Sequence, residues 1–166
     1  QAKDSGDLLI FDKYLENYPE GRYTKSVSVA IETLKFKTAK KSNSLWTMQA
    51  FLKEFPKGLY YREAKRLEDL FAYQAAKKKN TEKAFSDYLS QFPKGKHRSK
   101  IKRLSDDLAF SKAKSIGDLG SYFNYITNFL NDGLHIGEAK ALHERAWFKK
   151  IQENPNQEEI KKLLAA

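Results

Sequence analysis

The tripeptide Pro-x-Gly returns at a fixed interval along this chain. LENYPEG ends at Gly21, LKEFPKG at Gly58 and LSQFPKG at Gly95, and a copy without the proline, ITNFLNDG, ends at Gly133. The steps are 37, 37 and 38 residues, the last carrying one inserted residue. A period of this length specifies stacked supersecondary units rather than one irregular core. Each unit is a copy of one scaffold, so any specificity has to lie in the columns that vary between copies.

Shifting the sequence by its own period aligns Asp7, Ser44, Thr81, Asp118 and Asn156, all able to accept a hydrogen bond from the free amides of a helix's first turn. Four residues later come Phe11, Met48, Phe85, Tyr122 and Ile160. Tyr14, Phe51, Tyr88, Tyr125 and Leu163 follow, beside Leu15, Leu52, Leu89, Ile126 and Leu164. Tyr18, Phe55, Phe92 and Phe129 close the stripe. Apolar residues at offsets of three, four and seven make one face of an amphipathic helix of about three turns. The Pro-x-Gly element stops it: proline lacks the amide donor, and the glycine is expected to supply positive φ in a tight turn.

A longer second helix follows each turn. Its columns are Tyr23, Tyr60, His97 and His135; Val27, Ala64, Ile101 and Ala139; and Ala30, Leu67, Leu104 and Leu142. They continue with Leu34, Phe71, Leu108 and Ala146, then Phe36, Tyr73, Phe110 and Phe148, then Ala39, Ala76, Ala113 and Ile151. A lone pair cannot bury these faces and has to stack on its neighbours. The expected fold is all-α, a solenoid of antiparallel helix pairs with a period of 37. One helical-repeat domain spans 1–166, with repeats at 7–43, 44–80, 81–117 and 118–155 and a half repeat at 156–166. Gln1-Ala2-Lys3 reads as the tail of an earlier second helix. Asn156-Gln157-Glu158-Glu159 reads as a capping-box start. Both ends therefore read as cuts through a longer array.

Composition narrows the chemistry. The chain has no cysteine, which removes disulfides and thiolate ligands from consideration. Its longest apolar run, Leu8 to Phe11, is far short of a membrane span. The formal net charge of +10 favours anionic partners. Part of that charge is architectural. Lys40-Lys41, Lys77-Lys78-Lys79, Lys112 with Lys114, and Lys149-Lys150 recur near the ends of second helices, where cations complement the helix dipole.

Tyr14-Leu15 to Gly21-Arg22-Tyr23, Phe51-Leu52 to Gly58-Leu59-Tyr60 with Ala64, and Tyr88-Leu89 to Gly95 resemble tetratricopeptide-like repeats. The resemblance is strongest to the variety in bacterial envelope proteins of the BamD and Tol-Pal-associated type, and it covers essentially the whole chain. It implies a right-handed α/α solenoid whose first helices line a concave groove, a protein or peptide partner, and a location on the periplasmic side of a bacterial envelope. The usual unit is 34 residues, so the second helix here is about a turn longer. Leu15, Leu52, Leu89 and Ile126 stand where the family carries a small residue.

Carried over by column, the groove collects Leu9, Trp46, Lys83 and Gly120; Asp12, Gln49, Ser86 and Phe123; and Glu16, Lys53, Ser90 and Thr127. These columns change chemistry between repeats while the core columns hold theirs. The candidate partner-binding residues are Trp46, Gln49, Lys53, Lys83, Ser86 and Phe123, with the two aromatics as anchors. The competing reading packs Trp46 and Phe123 against a neighbouring helix. Lys94, Lys96, Arg98, Lys100, Lys102 and Arg103 put six cations into ten residues with no acid among them. They read either as a docking patch for phosphates or an acidic peptide, or as a solvated helix face.

Catalytic signals are absent. His97 and His135 occupy a tyrosine column and read as packing residues, and no carboxylate pattern around His143 completes a metal site. No Gly-rich phosphate loop and no nucleophile–base set stands out. The expected function is a non-catalytic scaffold, without cofactor or metal, that binds a peptide or partner domain in its groove. Two alternatives accompany it: a basic surface for nucleic acid or another polyanion, and a repeat segment presenting substrate to a fused enzyme.

Overall fold

The computed structural model describes the backbone of residues 2–153 and the side chains of 7–153. Over these residues the chain is all-α. Its helices are α1 (Ala2–Asn17), α2 (Thr24–Ser42), α3 (Leu45–Glu54), α4 (Tyr61–Lys79), α5 (Glu82–Gln91), α6 (Arg98–Ile116), α7 (Leu119–Phe129) and α8 (Ile136–Glu153). After α1, short helices of 10 or 11 residues alternate with long ones of 18 or 19.

Short helices start where the capping column places them. Ser44, Thr81 and Asp118 hold extended backbone ahead of α3, α5 and α7. The Thr81 hydroxyl accepts from the Ala84 amide at 3.2 Å, and the Asp118 carboxylate from the Ser121 amide at 2.7 Å. That amide, and after it the Ser121 hydroxyl, holds the Asp118 carboxyl below the usual carboxylate range. One residue earlier stands a stop that the column reading overlooked. Asn43, Asn80 and Gly117 turn left-handed, at φ 49°, 48° and 74°, and end the preceding long helix.

Asp7 departs from this pattern. It lies inside α1, which runs unbroken from Ala2, so Asp7 caps nothing. No residue of the segment lacks an amide, and a single internal glycine costs only about 1 kcal/mol, so a helix propagates through it. Asn156 and the half repeat at 156–166 lie outside the described residues.

The short helices end as the prolines dictate. Phe55 and Phe92, each before a proline, leave the helical region at φ −120° and −121° with ψ 64°. In the fourth repeat Leu130 stands in the proline position and stays right-handed helical, and α7 is one residue longer than α3 or α5. The glycine works differently from expectation. Gly21, Gly58 and Gly133 do not have positive φ; they are turn positions with no room for a side chain. A Cβ on Gly21 would meet the Tyr14 hydroxyl at 2.8 Å, and one on Gly133 the Phe129 Cβ at 2.8 Å. At Gly58 it would overlap the Glu32 carboxylate.

The described residues form two compact units, 2–78 with 94–97 and 79–93 with 98–153. The first is centred on Phe36 and Ala39 of α2, Met48, Phe51 and Leu52 of α3, and Ala64 and Phe71 of α4. The second has a cluster of Phe110 and Ala113 of α6, Tyr122 and Tyr125 of α7, and Ala139 of α8. In both, the aromatic that opens the long helix's approach stacks on the long helix before it. Tyr60 lies on Phe36, His97 on Tyr73 and His135 on Phe110, each with ring centroids 4.5 Å apart. The two histidines are packing residues, as their column suggests.

Candidate partner-binding surface

A ten-residue helix with three buried apolar residues has its inward face filled. On α3 those are Met48, Phe51 and Leu52. Trp46, two residues before Met48, lies elsewhere on the cylinder and is 76% exposed. It makes no core contact. Gln49 and Lys53 share α3 with it; Gln49 is half-buried and its amide reaches Glu68 of α4 at 3.4 Å, while Lys53 is exposed. Leu9, in the Trp46 column on α1, is also exposed. The first unit thus exposes one large apolar side chain on α1 and one on α3.

In the second unit, Lys83 of α5 forms an exposed ion pair with Asp87 one turn on, at 3.2 Å, and Ser86 is exposed. Phe123 of α7 is 58% exposed, with its ring 6.3 Å from His143 of α8. His143 lies 6.3 Å from Trp147, so an aromatic row crosses from α7 to α8. Neither Trp46 nor Phe123 is buried, although Phe123 has the His143 ring of the neighbouring α8 beside it.

The basic stretch divides. Lys94 and Lys96 belong to the first unit and are exposed, and the Lys96 amide is held by the buried Asp69 at 2.8 Å. On α6 the Arg98 guanidinium donates to the Leu89 carbonyl at 3.1 Å, tying the ends of α5 and α6 together. Lys102 pairs with Asp132 at 2.7 Å, and Arg103 lines a cleft of ≈ 360 Å³ with Ser99, Asn128 and Asp106. Other lysines are also paired: Lys40 with Glu63 at 2.9 Å, Lys112 with Glu82 at 3.0 Å, and Lys114 with Glu138 at 2.8 Å. These pairs take up part of the basic surface, and with 31 Lys and Arg against 21 Asp and Glu an excess of cations remains.

One column escaped the sequence reading. Glu32, Asp69, Asp106 and Glu144 occupy the same position of four successive long helices, and the first three are buried. Each buried carboxylate binds a backbone amide of the next Pro-x-Gly-type turn. Glu32 takes the Tyr60 amide at 3.0 Å, Asp69 the Lys96 amide at 2.8 Å and Asp106 the Leu134 amide at 2.6 Å. Asp106 also accepts from the Tyr125 hydroxyl, which in turn accepts from the His135 amide at 3.2 Å. Burial first, and then the Asp106 hydrogen bond, raise the Tyr125 hydroxyl well above the ordinary tyrosine range. An acid recurring inside an apolar stripe was the available signal. A buried carboxylate needs donors, and free turn amides need acceptors.

No protein-family model matches the chain, and no curated protein is significantly similar to it in sequence. Among the described residues no group of three His, Asp or Glu side chains is arranged to hold a metal ion, and no helix is long and apolar enough to cross a membrane.

Proposed function

We propose that the helix pairs stack as a tetratricopeptide-like solenoid and that the chain is a non-catalytic interaction module. The observation that carries this reading is Trp46. An indole 76% exposed on a helix whose inward face is already filled by Met48, Phe51 and Leu52 is no part of the buried core. Tryptophan is among the residues that most often carry binding energy. Gln49 and Lys53 share α3 with Trp46 in the first unit, and Lys83, Ser86 and Phe123 lie on the short helices of the second. The partner is a peptide or the surface of another domain, and an acidic one suits the net charge of +10.

The test is selection of a displayed random-peptide library on the folded chain. Peptides enriched on the wild type should lose binding to Trp46→Ala or Phe123→Ala, with circular dichroism and unfolding midpoint unchanged. Enriched peptides indifferent to both substitutions would sink the reading. A polyanion surface is less well supported, since Arg98 and Lys102 are engaged within the protein. Binding of a mixed-sequence oligonucleotide that falls steeply with salt, and further on replacing Lys94, Lys100 and Arg103, would favour it instead.

A further inference from the structure

Along α6, positions 106, 109, 110 and 113 are covered: Asp106, Phe110 and Ala113 are buried, and Ala109 packs on the same cluster. One repeat on, the same positions of α8 are Glu144, Trp147, Phe148 and Ile151, and they line an open cleft of ≈ 740 Å³. Phe148 is 61% exposed, whereas its counterparts Phe36 and Phe110 are 4% and 5% exposed. The Trp147 indole N–H is out of water and has no acceptor among the described residues. Phe36 and Phe110 are covered by the aromatic of the next turn, Tyr60 or His135, and by the following short helix: Phe51 lies 5.4 Å from Phe36, and Tyr125 lies 5.2 Å from Phe110. Both pairs are separated by 15 residues, and the residue at that distance from Phe148 is Leu163.

We propose that this face of α8 is a helix-docking site whose occupant is the segment 156–166 of the same chain, with Leu163 against Phe148. The segment carries the short-helix pattern in its sequence: Asn156 in the capping column, then Ile160, Leu163 and Leu164 in the core columns. The acid column favours the same occupant. Glu32, the longer carboxylate, goes with Phe51, whereas Asp106 goes with Tyr125, whose hydroxyl shares the turn amides. Glu144 with Leu163 repeats the Glu32 and Phe51 combination. The α1 helix of a second copy would bring Tyr14 to that place, the residue type that accompanies a shorter acid.

Because the chain has no cysteine of its own, the docking can be read by cross-linking two introduced thiols with a short bismaleimide. In the full chain, Phe148→Cys with Leu163→Cys should link within one molecule, and Phe148→Cys with Lys161→Cys should not. Both pairs carry Phe148→Cys, so its effect on folding is common to them and cannot by itself produce a difference in linking. In a Trp46→Phe background, Leu163→Asp with Leu164→Asp should shift Trp147 emission to the red and raise its quenching by acrylamide. Links formed mainly between molecules would assign the face to a second copy and overturn the proposal. Equal linking at 161 and 163, or Trp147 emission unmoved by the double substitution, overturns it too.

Discussion

Two junctions between repeats solve one problem with different atoms. In the first unit the Glu32 carboxylate binds the Tyr60 amide of the turn after Gly58. In the second unit two amides after Gly133 are bound, each by a different side chain. Asp106 takes the Leu134 amide and the Tyr125 hydroxyl, and that hydroxyl takes the His135 amide. Glutamate exceeds aspartate by one methylene, and tyrosine exceeds phenylalanine by one hydroxyl. Each junction carries one of the two extensions. The fold requires that the free amides of the turn find a buried oxygen, and leaves open which side chain supplies it.

Removing the carboxylate should separate the junctions most. Asp106→Ala strands two donors and Glu32→Ala one, so unfolding free energies should fall by about 3 and about 1.5 kcal/mol respectively. Equal losses in urea titrations would show that the Tyr125 branch contributes nothing. Next, Gly58→Ala should cost about 2 kcal/mol, because a Cβ there displaces the Glu32 carboxylate. That cost should shrink in a Glu32→Ala background. Gly133→Ala meets Phe129 instead, so its cost should be independent of Asp106.

A finer test exchanges the two solutions. Glu32→Asp should cost about 1 kcal/mol by falling short of the Tyr60 amide, and Phe51→Tyr should recover most of it by lending a hydroxyl. Additive effects in that cycle would break the comparison. The smallest effect is one of pH. The Tyr125 hydroxyl is raised above its ordinary value of about 10. Above that pH the unfolded chain has given up the proton while the folded chain keeps it. The unfolded state therefore binds fewer protons, and stability falls as pH rises. The decline above about pH 10 should be shallower in Tyr125→Phe, while Phe51→Tyr with Glu32→Asp should steepen it.

The helices were legible because their signals are local. A polar residue in extended backbone at Ser44, Thr81 or Asp118, a stripe at helical spacing and a proline two residues before a glycine act over a few bonds, though the Ser44 hydroxyl caps no amide. The columns repeated them often enough to be read. Where such a signal failed, at Asp7, it failed because capping is a choice between conformations, and α1 simply continues through it. The surface was half legible. Column variation pointed to Trp46 and Phe123, and both stand in solvent. The cations of α6 looked like one patch until Arg98 and Lys102 proved to have partners inside the protein.

By itself the sequence determined an all-α fold over the described residues, the alternation of short and long helices after α1 and most of the residues that face inward, since periodicity and turn chemistry need nothing beyond the neighbouring turn. Tyr18, Tyr23 and Phe148 of its core columns nevertheless stand in solvent. Tertiary structure decided why the glycines are glycines and why an acid sits in every long helix. Those answers depend on atoms 28 residues apart, Glu32 and Tyr60 or Asp106 and Leu134, brought within a hydrogen bond of each other. A period tells which residues are equivalent. Only packing tells which of them touch.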